Sequence, residues 1–202
     1  KLAVTKGIAR GVFSNEAGLG SAPMVHATAN VNHPVRQGLY GIFEVFMDTI
    51  IICSMTALVI MTTGTLTGQP ELTGAQLSLY AFEMGLGETV GKNILSIGLA
   101  LFAFTTILGW YWYAETAATY LFGIGFKPVM KVMWIALILL GAAGGQILGT
   151  GAQAFLTELW DMADTLNGLM AIPNLLGLLL LSGVLRKVIK DFDAKRKSGE
   201  LP

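Results

Sequence analysis

Apolar residues in this chain run in long blocks instead of alternating with polar ones, and the charges are bunched between the blocks. A hydrocarbon core about 30 Å thick needs roughly 20 apolar residues per helix. Four blocks approach or exceed that length, at residues 39–62, 94–122, 132–148 and 166–185. A weaker segment at 18–30 is half apolar, rich in Gly, Ala and Ser, and too short to cross alone. It reads as half of a broken helix. The expected fold class is an all-α membrane protein: residues 1–202 form a single transmembrane helical region, ending in a basic tail at 186–202.

Helix punctuation agrees with these divisions. Asn32-His33-Pro34 reads as a turn followed by a helix start, since proline is tolerated in a first helical turn and restrains the residue before it. Gly64 to Ala75, containing Pro70, separates the first strong block from the second, and Glu83 to Lys92 reads as a short interfacial helix. Gly123 and Gly125 followed by Lys127-Pro128 close the second block. GGQILGTGAQ opens a Gly-rich connection before the last.

Composition sharpens the class, because 53% of residues are hydrophobic and 13% charged. A soluble domain does not look like this. The formal net charge is zero, so nothing calls for a nucleic-acid partner; the partner implied is the lipid bilayer. Charge position is more telling, since short cytoplasmic loops carry an excess of Lys and Arg. If the first connection is inside, one set of loops holds Arg36, Lys127 and Lys131, together with Arg186, Lys187, Lys190 and the last basic residues of the tail. The opposite loops, 63–93 and 149–165, hold Lys92 alone among basic residues, together with Glu71, Glu83, Glu88, Glu158, Asp161 and Asp164. The tail is therefore expected to be cytoplasmic, as a solvated end in preference to a lipid-binding patch. The lone Cys53 can form no internal disulfide. The first residues lack the apolar core of a signal peptide, and a start in mid-motif suggests a piece of something longer.

Chemistry concentrates in GIARGVFSNEAGLGSAP, where Gly7, Gly11, Gly18 and Gly20 surround Ser14, Asn15 and Glu16. Glycine weakens a helix and permits close backbone approach. Irregular backbone at membrane depth survives only where it is buried in protein or lines a wet cavity. A helix broken there offers carbonyls to a cation and N–H groups to a carboxylate. The residues alone leave an extramembrane Gly-rich loop equally open.

RGVFSNEAGLGSAP, followed by HPVRQG, EVFMDTIIICSMTALVIMTTG, WYWYAE and ELWDMADTLNGLMAIPNLLGLLLLSG, closely resembles the sodium:alanine (amino acid carrier) symporter family over essentially the whole chain. The resemblance implies a transporter of the LeuT fold, with two inverted five-helix repeats. This chain would then hold the sixth to tenth helices, and its partner would be the missing N-terminal five helices of the same transporter. It implies sodium-coupled symport of a small neutral amino acid (alanine, with glycine and serine as neighbours) across the cell membrane by alternating access. No cofactor is implied besides sodium as coupling ion. Phe13 to Gly20 would be the unwound centre of the sixth helix, with Phe13, Ser14, Asn15 and Gly18 at the substrate. Glu16 would be buried nearby, either as a structural hydrogen-bond partner or as an ion ligand.

In the second block Thr106 and Trp110 are i and i+4, hence on one face. The resemblance places Thr105 and Thr106 at a sodium site, with Thr106 and Trp110 walling the substrate pocket. Residue type alone favours Thr bonding back to its own helix and Trp in an interface belt.

Intramembrane carboxylates are expensive. Glu44 and Asp48 share a helix face, and a structural pairing with Arg36, Asn or water is favoured over ion transport. Glu115 is a candidate for a cytoplasmic gating network, while Asn167 and Asn174, seven apart and flanking Pro173, suit helix packing. His26 and His33 lack partners at zinc spacing, Ser21 and His26 do not form a nucleophile pair, and no phosphate loop is present. A membrane enzyme is thus unsupported, and the competing reading is a non-transporting structural or assembly subunit.

Overall fold

The computed structural model describes residues 2–147, 149 and 151–201. Leu148, the expected end of the third block, and Thr150 in the Gly-rich connection lie outside the described residues, as does Pro202 at the end of the tail. All regular structure in the described residues is helical. Its elements are α1 (Leu2–Asn15), α2 (Ala22–His26), α3 (Pro34–Phe46), a π-helical stretch (Met47–Cys53), α4 (Ser54–Thr62), α5 (Thr65–Gly68), α6 (Gly74–Leu86), α7 (Glu88–Phe122), a 3-10 turn (Ile124–Phe126), α8 (Lys127–Ile147) and α9 (Ala152–Lys197). Among the described residues, four stretches are long and apolar enough to cross a membrane: Pro34–Thr62, Glu88–Phe122, Ile124–Ile147 and Ala154–Lys197. Leu179, Leu180 and Leu181 all face outward, Leu180 with 85% of its surface exposed. Contiguous apolar surface of this kind suits lipid and not water. The chain is a multi-pass membrane protein.

Several boundaries depart from the sequence reading, each for a local reason. Helix α1 runs into the glycine-rich motif as far as Asn15, so Phe13, Ser14 and Asn15, expected in the unwound centre, are helical, and the segment at 18–30 is helical only over Ala22–His26. Glu83 to Lys92 is not one helix: Gly87, at φ 88°, ends α6 and the chain restarts as α7 at Glu88. The acidic loop expected at 149–165 is helical from Ala152 onward, and the tail is helical through Lys197. The π-helical stretch inside the first span carries no sequence signal of its own; such insertions are rare and cluster at functional sites.

Two compact units divide the chain. The first comprises residues 1–43 and 112–202, and its spine is α9. At 46 residues, α9 is about 69 Å long at 1.5 Å per residue, far more than a bilayer needs. Charges mark what fits: the run from Asp164 to Arg186 spans about 33 Å at that rise, matching a hydrocarbon core about 30 Å thick. Residues 2–33 dock along α9 in order, Arg10 at Asp164, Gly18 at Asn174 and His33 at Asp191. Helix α8 packs on α9 where Gly144 leaves room for the buried ring of Phe155.

The second unit is residues 44–111. There α4 packs on α6, with Gly85 facing Val59 and Thr63. Ala81 and Phe82 are buried, and Gly91 of α7 lies so close to the Phe82 backbone that a Cβ would overlap it.

The α8–α9 contact yields a test. Gly144→Ala drives a methyl into the Phe155 ring and is expected to cost about 1–3 kcal/mol, read as a lower melting temperature of the intact protein in detergent. Gly141→Ala, with nothing within 4 Å of its added Cβ, is the control: it gains about 0.5–1 kcal/mol of helix propensity and does not lower the melting temperature.

Candidate functional site

Helix α1 ends where the backbone turns left-handed. Glu16 takes φ 51°, and Gly18 and Gly20 follow at 78° and 86°. Glycine enters that region freely, whereas a Glu there is uncommon and must be held. The hold comes from Ser21, whose hydroxyl donates to Glu16 Oε2 at 2.7 Å and which is only 2% exposed. The chain leaves α1 through short turns, with Ala17 N–H donating to Val12 O and Leu19 N–H to Glu16 O. Asn15 Nδ2 ties back to Gly11 O at 3.0 Å. Pro23 then opens α2, where its missing N–H costs nothing.

The depth of this break follows from its docking on α9. Asn174 Nδ2 donates to Gly18 O at 2.9 Å. Asn174 lies about 15 Å along the helix from Asp164 and about 18 Å from Arg186 at 1.5 Å per residue, near the middle of the apolar run. Backbone that far from water needs its partners from protein. A Cβ on Gly20 would sit 2.9 Å from Asn174 Oδ1, so this contact requires glycine.

One face of α1 fastens the segment toward the acidic end of the run. Arg10 makes a two-pronged ion pair with Asp164 at 3.0 and 3.2 Å and lies over the Trp160 ring, 4.0 Å from its centroid. Phe13 meets the same indole edge-on at 5.3 Å. Lys6 stands 3.9 Å from Asp161. At the far end, Val35 N–H donates to His33 Nδ1, which turns the Nε2 proton toward Asp191 Oδ2 at 3.3 Å. Lys195 joins that carboxylate at 2.8 Å.

The expected site residues fall in both units. Phe13, Ser14, Asn15, Glu16 and Gly18 come together at the break in the first unit. Gly18 carries its carbonyl already engaged by Asn174, and Glu16 serves as acceptor for Ser21. Glu115, also in the first unit, pairs with Lys127 Nζ at 2.9 Å across the α7–α8 connection. Thr105, Thr106 and Trp110 lie on α7 in the second unit, the two threonines exposed and Trp110 half-buried. Thr105 Oγ1 donates back to Leu101 O and Phe102 O at 3.0 and 3.1 Å. Asp48 sits half-buried in the π-helical stretch.

A family model described as the sodium:alanine symporter family matches residues 2–202. The chain belongs to the sodium:alanine symporter family. Among relatives of this symporter segment, a sodium/alanine symporter of Methanococcus maripaludis is 45% identical over 97% of the chain and 41% of its own length. An uncharacterised transporter of Haemophilus influenzae is 45% identical over 96% of the chain and 40% of its own length. A probable sodium/glutamine symporter of Bacillus subtilis is 38% identical over 99% of the chain and 40% of its own length. The chain thus spans about two fifths of the length of the curated relatives it matches.

Sequence reasoning missed Arg10, Ser21 and Trp160 in this symporter segment. The available signal was charge sign: Lys6 and Arg10 on α1 are four apart and so share a face, as are Trp160 and Asp164 on α9. Glu16 is half-buried, not buried as expected, and Ser21→Ala is expected to destabilise the intact protein by about 1–3 kcal/mol, because it strips that carboxylate of its buried donor. Glu16→Gln keeps an acceptor for Ser21 and loses less, with thermal unfolding in detergent reading both.

Proposed function

We propose that this chain is part of a sodium-coupled symporter for small neutral amino acids of the alanine type, acting by alternating access. The observation that carries the reading is the helix break at the middle of the apolar run of α9. There a Gly-rich, left-handed stretch places polar main chain and Ser14, Asn15 and Glu16 where lipid-facing backbone is not tolerated. Such breaks present carbonyls to cations and N–H groups to carboxylates. The family supports the reading, and two relatives are named for sodium with alanine and sodium with glutamine.

In this proposal the segment corresponds to the second five-helix repeat of a LeuT-type transporter. The remaining three fifths of the relatives' length would correspond to the helices that complete the site. Phe13, Ser14, Asn15, Thr106 and Trp110 contact the amino acid, and Thr105 and Thr106 supply hydroxyl oxygens to sodium. A small hard cation suits neutral oxygen ligands, and its charge then attracts the substrate carboxylate. Binding both stabilises the state from which the transporter rocks inward. The plasma membrane holds the protein, with the basic end of α9 on the cytoplasmic side.

Radiolabelled alanine should enter proteoliposomes containing the intact protein only when sodium is higher outside. Uptake indifferent to sodium overturns the proposal. Thr106→Ala should raise the sodium concentration for half-maximal uptake by about tenfold, the worth of one well-placed ligand bond. For orientation, a cysteine replacing Ser198 should react with an impermeant maleimide in inside-out vesicles and be protected in intact cells.

A further inference from the structure

We infer that Asn174 is a positioning residue for the solute site: its side-chain amide seats the α1–α2 break on α9 and withdraws the Gly18 carbonyl from the oxygens open to a ligand. The inference deepens the proposed function and rests on reading the break as a solute site.

Two observations converge on this side chain and a third on its neighbour Leu175. Its Nδ2 donates to Gly18 O at 2.9 Å, between residues 156 apart in sequence. The same amide faces Gly20, where an added Cβ would come within 2.9 Å of Oδ1 and 3.1 Å of Cγ. Gly18 in turn faces Leu175, whose Cδ2 would stand 3.3 Å from an added Cβ. Both glycines have positive φ, so the left-handed turns and the close approach to Asn174 and Leu175 demand the same residue type.

The position of Asn174 in α9 gives the contact a consequence. Pro173 lies immediately before it, inside the helix. A proline has no N–H, so the carbonyl four residues earlier, at Leu169, lacks its rung in the helical ladder. Helices bend at such places. The amide that holds Gly18 therefore sits directly after the missing rung of α9, and a bend at Pro173 carries the Gly18 carbonyl with it. Holding that carbonyl also decides what stays available: a cation or ammonium group approaching the break meets the main chain on the side turned away from α9.

Packing glue and positioning predict different results, and the intact protein in proteoliposomes separates them. Asn174→Ala should raise the alanine concentration for half-maximal uptake about tenfold, the worth of one lost hydrogen bond, with maximal rate nearly unchanged. It should also speed amide exchange in residues 16–21 while α1 exchanges as before. Gly20→Ala combined with Asn174→Ala should be less harmful than the product of the single effects, since the second change removes the atom the first would strike.

Strict independence of the two substitutions, or unchanged exchange at 16–21 together with unchanged half-saturation, overturns the inference. If the wild-type protein shows no sodium-driven alanine uptake, the proposed function fails. The exchange measurement then decides alone: local loosening at 16–21 supports the seat made by Asn174, and none overturns it. Should Asn174→Ala not yield folded protein, Asn174→Ser carries the same two readouts.

Discussion

A main-chain carbonyl or amide in the middle of a bilayer has no water to bond, so it must find a partner in protein or remain in a helix. The first unit is organised around that constraint. Between Asn15 and Ala22 the helical ladder is given up, and the groups it would have satisfied are met by other means. Gly18 O receives Asn174 Nδ2, Glu16 O receives Leu19 N–H, and the Glu16 carboxylate receives Ser21. Without these donors an unpaired carbonyl at that depth costs several kcal/mol, and an unbroken helix through residues 16–21 would be the lower-energy choice.

The same constraint explains why α9 is continuous where α1 and α2 are not. A helix satisfies its own backbone, in α9 everywhere but at the rung Pro173 removes, and can therefore serve as a rail for a segment that does not. Its charges set the register: Asp161 and Asp164 lie beyond one end of the apolar run, Arg186 and Lys187 beyond the other. The docked segment answers in kind, with Lys6 and Arg10 opposite the acids. Glycine supplies the closeness that side chains would deny, at Gly20 on Asn174 in the first unit and at Gly91 on Phe82 within the second.

Much of this was legible in the sequence, though unevenly. Three of the four apolar stretches contain a whole predicted block and the fourth, Ile124–Ile147, covers 132–147 of its block, because hydrocarbon thickness imposes a length that composition must meet. The residues of the glycine-rich motif left a broken helix and an extramembrane loop equally open, because low helix propensity marks both. Its flanks were not legible: α1 carries Lys6 and Arg10, and those charges hid a helix that only the Asp164 and Trp160 partners make sensible. The helical stretch at 152–165 was hidden by Glu158, Asp161 and Asp164, which read as loop until their partners on α1 are seen. Asn174 looked like ordinary helix glue, since nothing local shows that its partner lies at residue 18. Long-range pairing of this kind is a property of the fold and leaves no trace in local pattern.

The contacts that hold residues 2–33 on α9 differ in kind along its length, and the difference has a mechanical meaning. Toward the acidic end there is a doubly bonded guanidinium–carboxylate pair reinforced by an indole face. Toward the basic end His33, only 5% exposed, bonds to Asp191 and lies against Phe192. At the middle of the apolar run a neutral amide meets a carbonyl. Charge-assisted bonds are roughly twice as strong as neutral ones, and a lone amide bond is worth only about 1 kcal/mol net. The ends are thus held by charge and the centre by a neutral bond together with the burial of Leu19 and Ser21. The glycines at 18 and 20 put their torsional freedom at that same place, so the stretch with the widest backbone choice is the one whose bond to α9 carries no charge.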